Sequence, residues 1–302
     1  MTLRFYGVTS ADGTRLNAWT NDAEGPTVLL CNGLGTNPYA WPALLDDDCG
    51  VRVLSWNHRG VGGSERPRDH KRVTVHDFVD DAVAVLDDAD VDRCTVAGWS
   101  IGVNTQFELA TVHPDRVSGL FAVAGVPGGT FTSMLAPLGV PRLLRRPLTV
   151  NTARGLRLIG RAVSPVTTRL KVGTLSTGLL RHSGFMSRSA DPEIVRTAVR
   201  EFLTTDVDWY MHLAVAAAEH PRVSLSGIGV PTAFVAGRYD VLASAKDMAT
   251  AAQRIPRATY AELPGSHFVQ MEHPQVVHSE LLVLLDRVAR VEIGEPPATM
   301  DA

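Results

Sequence analysis

Gly98-Trp99-Ser100-Ile101-Gly102 closes the apolar run Arg93–Gly98 and opens a helical pattern over Ile101–His113. A serine on so sharp a strand-to-helix turn is presented at the carboxyl edge of a sheet, and glycines on either side remove side chains that would collide at the bend. The start of the helix also sets the Ile101 N–H where negative charge develops on a bound acyl oxygen. A serine hydroxyl is a weak nucleophile at neutral pH. It therefore needs a general base, and the base needs a carboxylate to orient it. For a nucleophile on this kind of turn the partners are expected later in the chain, acid first and histidine second.

Two positions satisfy that order. Asp240 lies just past the apolar run Thr232–Ala236, within Gly237-Arg238-Tyr239-Asp240-Val241. His267 lies just past Ala258–Leu263, within Pro264-Gly265-Ser266-His267-Phe268. Both fall at carboxyl ends of strands, the edge at which open α/β sheets bind ligands. A helix N-cap is the alternative reading of Asp240. The stretch Gly125-Val126-Pro127 offers no competing carboxylate. His273 precedes Pro274 and is expected to cap the last helix, while His58, His113, His212 and His220 are expected to be structural. A second N–H for the acyl oxygen should come from Asn32-Gly33-Leu34-Gly35, after the run Thr27–Cys31. Gly33 and Gly35 let the backbone approach a substrate closely, Leu34 N–H is the expected donor, and Asn32 is expected to hold the loop through hydrogen bonds. A plain structural turn is the alternative there.

Around these motifs, short apolar runs (Thr27–Cys31, Val51–Trp56, Arg93–Gly98, Val117–Ala124, Thr232–Ala236 and Ala258–Leu263) alternate with helical patterns. The helical patterns are Tyr39–Leu45, Val73–Asp88, Ile101–His113, Ala243–Arg254 and Pro274–Val291. Continuous apolar strands separated by helices predict an α/β fold, with a mostly parallel central sheet covered on both faces. Between Pro127 and Val230 no comparable strand occurs, and an insertion of that length is usually functional or a subdomain of its own. The expected organisation is a core of residues 1–126 and 231–292, a helical insertion over 127–230, and a frayed tail over 293–302.

Composition narrows the function classes. The 302 residues are 45% hydrophobic, 20% charged and 6% aromatic, an ordinary globular balance. Lys and Arg number 29 against 32 Asp and Glu, which argues against nucleic-acid binding by bulk charge. Three widely spaced cysteines do not read as a disulfide framework, and no cluster has metal-ligand spacing, so neither metal nor cofactor is expected. The N-terminus has no apolar core of signal-peptide length and no apolar run spans a bilayer, so a cytoplasmic setting is expected. No oligomeric state follows from these residues.

The elbow at Ser100, the loop Asn32–Gly35, the stretch Asn57-His58-Arg59-Gly60-Val61-Gly62-Gly63-Ser64 and the positions of Asp240 and His267 together resemble the α/β-hydrolase superfamily. Members more often carry His at the place of Asn32 and Asp at the place of Asn57. The resemblance implies a Ser-His-Asp hydrolase whose inserted helical block is a cap shaping the substrate pocket. It also implies a choice among esterases, lactonases, thioesterases, carbon–carbon hydrolases and perhydrolases. Epoxide hydrolases and haloalkane dehalogenases of the superfamily use an aspartate nucleophile, and Ser100 argues against both. A binding protein that retains the hydrolase pocket is the reading from another class.

The inserted block has one unusual property. Thr130–Ala190 holds no Asp or Glu but ten basic residues, so −3 overall and +10 here leave −13 elsewhere. Pairing of these residues with Asp46–Asp48 or Asp80–Asp81 is the plain expectation. Attraction of a small-molecule substrate with an anionic group, or peripheral contact with anionic lipid through an amphipathic helix, is the sharper one. Gly155 and Gly160 weigh against a helix carrying Arg154, Arg157 and Arg161. Trp99, Phe185, Met186, Trp209, Tyr210, Met211 and Phe268 are expected to line an apolar pocket, with plain core packing as the alternative.

Overall fold

The structure is a computed structural model that describes residues 3–294 apart from 171, 174–175, 179–185 and 188. Its sheet has eight strands: β1 (Arg4–Thr9), β2 (Arg15–Thr20), β3 (Thr27–Cys31), β4 (Arg52–Trp56), β5 (Cys94–Trp99), β6 (Val117–Val123), β7 (Thr232–Gly237) and β8 (Ala258–Leu263). Their spatial order is β1-β2-β4-β3-β5-β6-β7-β8. The pairs β1–β2 and β2–β4 are antiparallel, and every other neighbouring pair is parallel. The hairpin β1–β2 was not among the sequence expectations. It turns at Asp12-Gly13, with Gly13 at φ 84.

Alternate residues of each strand face opposite sides, and the core divides accordingly. Leu29, Cys31, Val96, Leu120 and Phe234 pack against α1 (Val75–Asp88), α2 (Gly102–Val112) and α7 (Ala245–Ala252). Val28, Leu30, Ala97, Phe121 and Val235 pack on the other face against Val277, Leu281, Leu284 and Val288 of α9 (Pro274–Glu292), which follows the one-turn α8 (Val269–Glu272). Helix α1 starts one residue past Thr74, whose hydroxyl accepts from Asp77 N while the Asp77 carboxylate accepts from Thr74 N. That reciprocal cap fixes where the amphipathic pattern begins. The expected helix Tyr39–Leu45 is instead two 3-10 turns, Pro38–Ala40 and Pro42–Leu45. A proline opens each turn and supplies no N–H, and Trp41 between them leaves helical geometry, so no continuous ladder forms.

Between β6 and β7 no described residue lies in a strand, and the helices there include α3 (Thr130–Ser133), α4 (Arg142–Thr167), α5 (Pro192–Phe202) and α6 (Val207–Ala218). Helix α4 contains Pro147, Pro165, Gly155 and Gly160, yet runs 26 residues. It is held by a stripe of Val150, Ala153, Gly160 and Ser164 packed toward α6. A Cβ on Gly160 would lie 2.5 Å from Asp208 N, so the glycine that weakens the helix is what lets α6 approach. Ser164 Oγ accepts from Val207 N at 2.8 Å and ties the two together.

Two of the acidic residues expected to pair with the basic segment, Asp80 and Asp81, are engaged elsewhere. Asp81 is buried against Arg59 (2.7 Å), and Asp80 meets Arg72 (3.2 Å). Arg161 does find a carboxylate, Asp208 at 3.7 Å, within the helical insertion itself. Lys171, Arg181 and Arg188 lie outside the described residues, as does nearly all of the expected tail. Cys31, Cys49 and Cys94 are free and buried. No described helix is long and apolar enough to cross a membrane.

Candidate active site

Strand β5 delivers the chain to Ser100, which sits at φ 57, a left-handed conformation that costs a non-glycine residue free energy. The surrounding packing holds it there. A Cβ on Gly98 would lie 2.4 Å from Gln106 Oε1, and one on Gly102 would lie 1.8 Å from the Cys31 carbonyl oxygen. Only glycines let β5 bend and α2 start this close to β3. Ser100 N donates to Val123 O (3.1 Å), which leaves the side chain at the carboxyl edge of the sheet.

Ser100 Oγ is 2.8 Å from His267 Nε2, and His267 Nδ1 is 2.8 Å from Asp240 Oδ2. Asp240 is fully buried, and its other oxygen accepts from Leu242 N (2.7 Å) and Ala243 N (2.9 Å). The cap of α7 is Ser244, so Asp240 braces the turn ahead of that helix. With the Asp240 carboxylate accepting from Nδ1–H, Nε2 is left as the acceptor facing the serine hydroxyl. The histidine loop has its own supports. Trp99 Nε1 donates to the His267 carbonyl (2.9 Å), and buried Glu272 accepts from Ser266 N, Ser266 Oγ and Ser187 N, each at 2.6 Å. Sequence reasoning missed Glu272. Its only signal was a carboxylate a few residues beyond His267. His273, expected to cap α9, occupies the N-cap position but makes no side-chain cap bond.

On the opposite side of Ser100, Asn32 Oδ1 accepts from Gly33 N (3.0 Å) and Trp41 Nε1 (3.1 Å), and its Nδ2 donates to Asn37 O (3.2 Å). A Cβ on Gly33 would press to 2.8 Å from the Trp99 ring, and Gly35 turns at φ 69 beneath Tyr210. The N–H groups of Leu34 and Ile101 find no acceptor among the described residues, and both residues line the cavity that Ser100 and His267 face.

That cavity has a volume of about 840 Å³. Its walls include Trp99, Met134, Leu148, Leu156, Met186, Phe202, Tyr210, Met211, Phe268 and Met271. No Asp, Glu, Lys or Arg is among the described lining residues, so the described arginines of the insertion do not reach the cavity. Burial pushes the Tyr210 phenol up to about 12, which keeps it neutral. Trp209 is a correction: it is not in the wall. Its Nε1 donates to Arg59 O (2.8 Å) and its ring packs with Val61, Val73, Phe78 and Leu213, so α6 turns Tyr210 and Met211 to the cavity instead. Phe185 lies outside the described residues. No group of three His, Cys, Asp or Glu side chains able to hold a metal ion occurs among the described residues.

Residues 26–274 match the family described as alpha/beta hydrolase fold, and the chain belongs to that family. It is similar to two Mycobacterium tuberculosis proteins. It is 31% identical to epoxide hydrolase B over 142 residues, 42% of this chain but only 39% of that protein's length. It is 27% identical to epoxide hydrolase A over 312 residues, covering 91% of this chain and 95% of that one. In fold it is similar to a thermophilic esterase from Thermogutta terrifontis, with TM-score 0.71 and 20% identity over 94% of this chain and 99% of that one.

Proposed function

We propose that the protein is a serine hydrolase that cleaves a carboxylic ester, or a related lactone or thioester, with an apolar acyl group. The observation that carries this is the hydrogen-bonded line Ser100–His267–Asp240 on the floor of a cavity whose described lining is largely apolar and holds no Asp, Glu, Lys or Arg. In the proposed reaction His267 Nε2 takes the Ser100 proton as Oγ attacks the carbonyl carbon. The Leu34 and Ile101 N–H groups hold the oxyanion, and Asp240 stabilises the imidazolium. Collapse of the tetrahedral intermediate expels the alcohol, which takes the proton from His267. A water deprotonated by His267 then attacks the acyl-serine and releases the acid. Residues 127–230 act in this reading as a cap over a core of 1–126 and 231–292.

The relatives named epoxide hydrolases favour a different substrate, and Ser100 weighs against it. Serine attack on an epoxide would leave an ether, with no carbonyl at which water could release it. The aspartate nucleophile that the superfamily uses on epoxides forms an ester, which water does cleave.

Turnover of p-nitrophenyl esters of increasing acyl length tests the assignment. Each methylene buried in the cavity is worth about 0.8 kcal/mol, so kcat/KM should climb roughly fourfold per carbon until the cavity is filled. A profile that falls steadily from acetate would contradict the apolar acyl pocket, and no turnover of any ester by folded protein would contradict the reaction.

A further inference from the structure

We propose that the outer face of α4 docks the protein on an anionic lipid bilayer, independently of which bond the active site cleaves. Helix α4 carries six arginines and no acidic residue. Arg142, Arg154 and Arg157 meet no carboxylate among the described residues. Arg161 has its side chain 90% exposed and only a 3.7 Å contact with Asp208. Between these charges the helix exposes large apolar side chains that a soluble surface has no reason to keep: Leu143 is 89% exposed and Leu158 85%, with Leu144, Ile159 and Val166 also more than half exposed. Leu158 lies four residues after Arg154 and three before Arg161, so arginine and leucine share one strip of the helix.

Guanidinium groups beside projecting leucines are the pattern of a helix lying in a bilayer interface, its apolar side chains among acyl chains and its cations at phosphate headgroups. A second copy of this chain fits the face poorly, because a two-fold contact would set arginine against arginine. A nucleic acid would leave the leucines in water. The position of the helix gives docking a use. Thr152 and Leu156, on the inner side of α4, are part of the cavity wall, so a docked helix holds the cavity against the phase in which apolar esters concentrate.

The test is cosedimentation of the full chain with vesicles of phosphatidylcholine alone, and of phosphatidylcholine mixed with phosphatidylglycerol, at two salt concentrations. Binding to the mixed vesicles is expected, weakened by salt, with little binding to phosphatidylcholine alone. An arginine near an anionic surface is worth about a fivefold change in partitioning, so Arg154→Gln, Arg157→Gln and Arg161→Gln together should lower it about a hundredfold. Leu143→Ser with Leu158→Ser should also reduce it by at least about tenfold, since both lose their buried apolar area. Both sets lie outside the cavity and should leave turnover of a water-soluble ester unchanged. Negligible or equal binding to the two vesicle types would overturn the proposal, as would binding indifferent to both sets of substitutions. A concentration-dependent dimer in sedimentation velocity, dissolved by the leucine substitutions, would assign the face to a second copy and overturn it equally.

Discussion

Replacing Asp240 by Asn is close to isosteric, yet the geometry predicts a large loss of activity. One oxygen of Asp240 accepts two backbone N–H groups, from Leu242 and Ala243, and the other accepts from His267 Nδ1. An asparagine has one acceptor and one donor end, and its orientation is decided by counting. With its oxygen toward the backbone it keeps two hydrogen bonds. With its oxygen toward His267 it keeps one and sets its NH₂ against two buried N–H donors, each left unsatisfied at a cost of about 1–3 kcal/mol. The first orientation wins, and the amide NH₂ then donates to Nδ1. His267 is driven into the tautomer with hydrogen on Nε2, which faces Ser100 and can no longer take its proton. A wrong-tautomer defect of this kind lowers kcat by about 10⁴, equivalent to about 5 kcal/mol of transition-state stabilisation. The assay is kcat for an ester that the wild type turns over, beside thermal unfolding of both proteins. A variant that unfolds like wild type and retains kcat within about tenfold would refute the assignment of Asp240 as the residue that orients His267.

Two further outcomes follow from the packing and the titrating groups. Gly102→Ala should lower the unfolding free energy by about 3 kcal/mol or more, the upper end for overpacking, because the new Cβ meets the Cys31 backbone carbonyl rather than a side chain that can move. Denaturant titration reads this directly, and a loss below about 1 kcal/mol would mean that the elbow is loose. Burial pushes His58 down to about 4, so it stays neutral in the folded state. Above pH 6.5 it is neutral in both states and adds nothing to the pH dependence of stability. As pH falls from about 6.5 toward 4 only the unfolded chain takes up its proton, and about 3 kcal/mol of stability is lost across that window. His220 titrates in the same window, also pushed down to about 4, chiefly by burial and further by His76. His58→Leu should therefore remove only the His58 share of the acid sensitivity, and an unchanged pH dependence of unfolding would contradict that origin.

The central strands were legible because they are buried on both faces and read as unbroken apolar runs, so the carboxyl edge and the places of Ser100, Asp240 and His267 followed from where those runs end. The hairpin β1–β2 was harder. β1 is an exposed edge strand with little apolar signal, although Asp12-Gly13 between alternating residues was a usable turn mark. The cavity wall was only partly legible, since Trp209, Tyr210 and Met211 are consecutive and the sequence does not say which side of α6 faces inward. The partners of Arg59 and the reach of Glu272 depend on loops brought together from distant parts of the chain, and no local pattern announces them. Gly160 misled in an instructive way: read alone it weakens a helix, and in the fold it is the contact point that stabilises one.

The measurement that bears most directly on the central claim is intact-mass analysis after treatment with a fluorophosphonate, on wild type and Ser100→Ala, with ester turnover measured on the same samples. The account predicts one adduct per chain, located at Ser100 and absent from the variant, together with a loss of turnover of at least about a thousandfold. An adduct on another residue, or variant turnover above about a thousandth of wild type, would contradict Ser100 as the nucleophile.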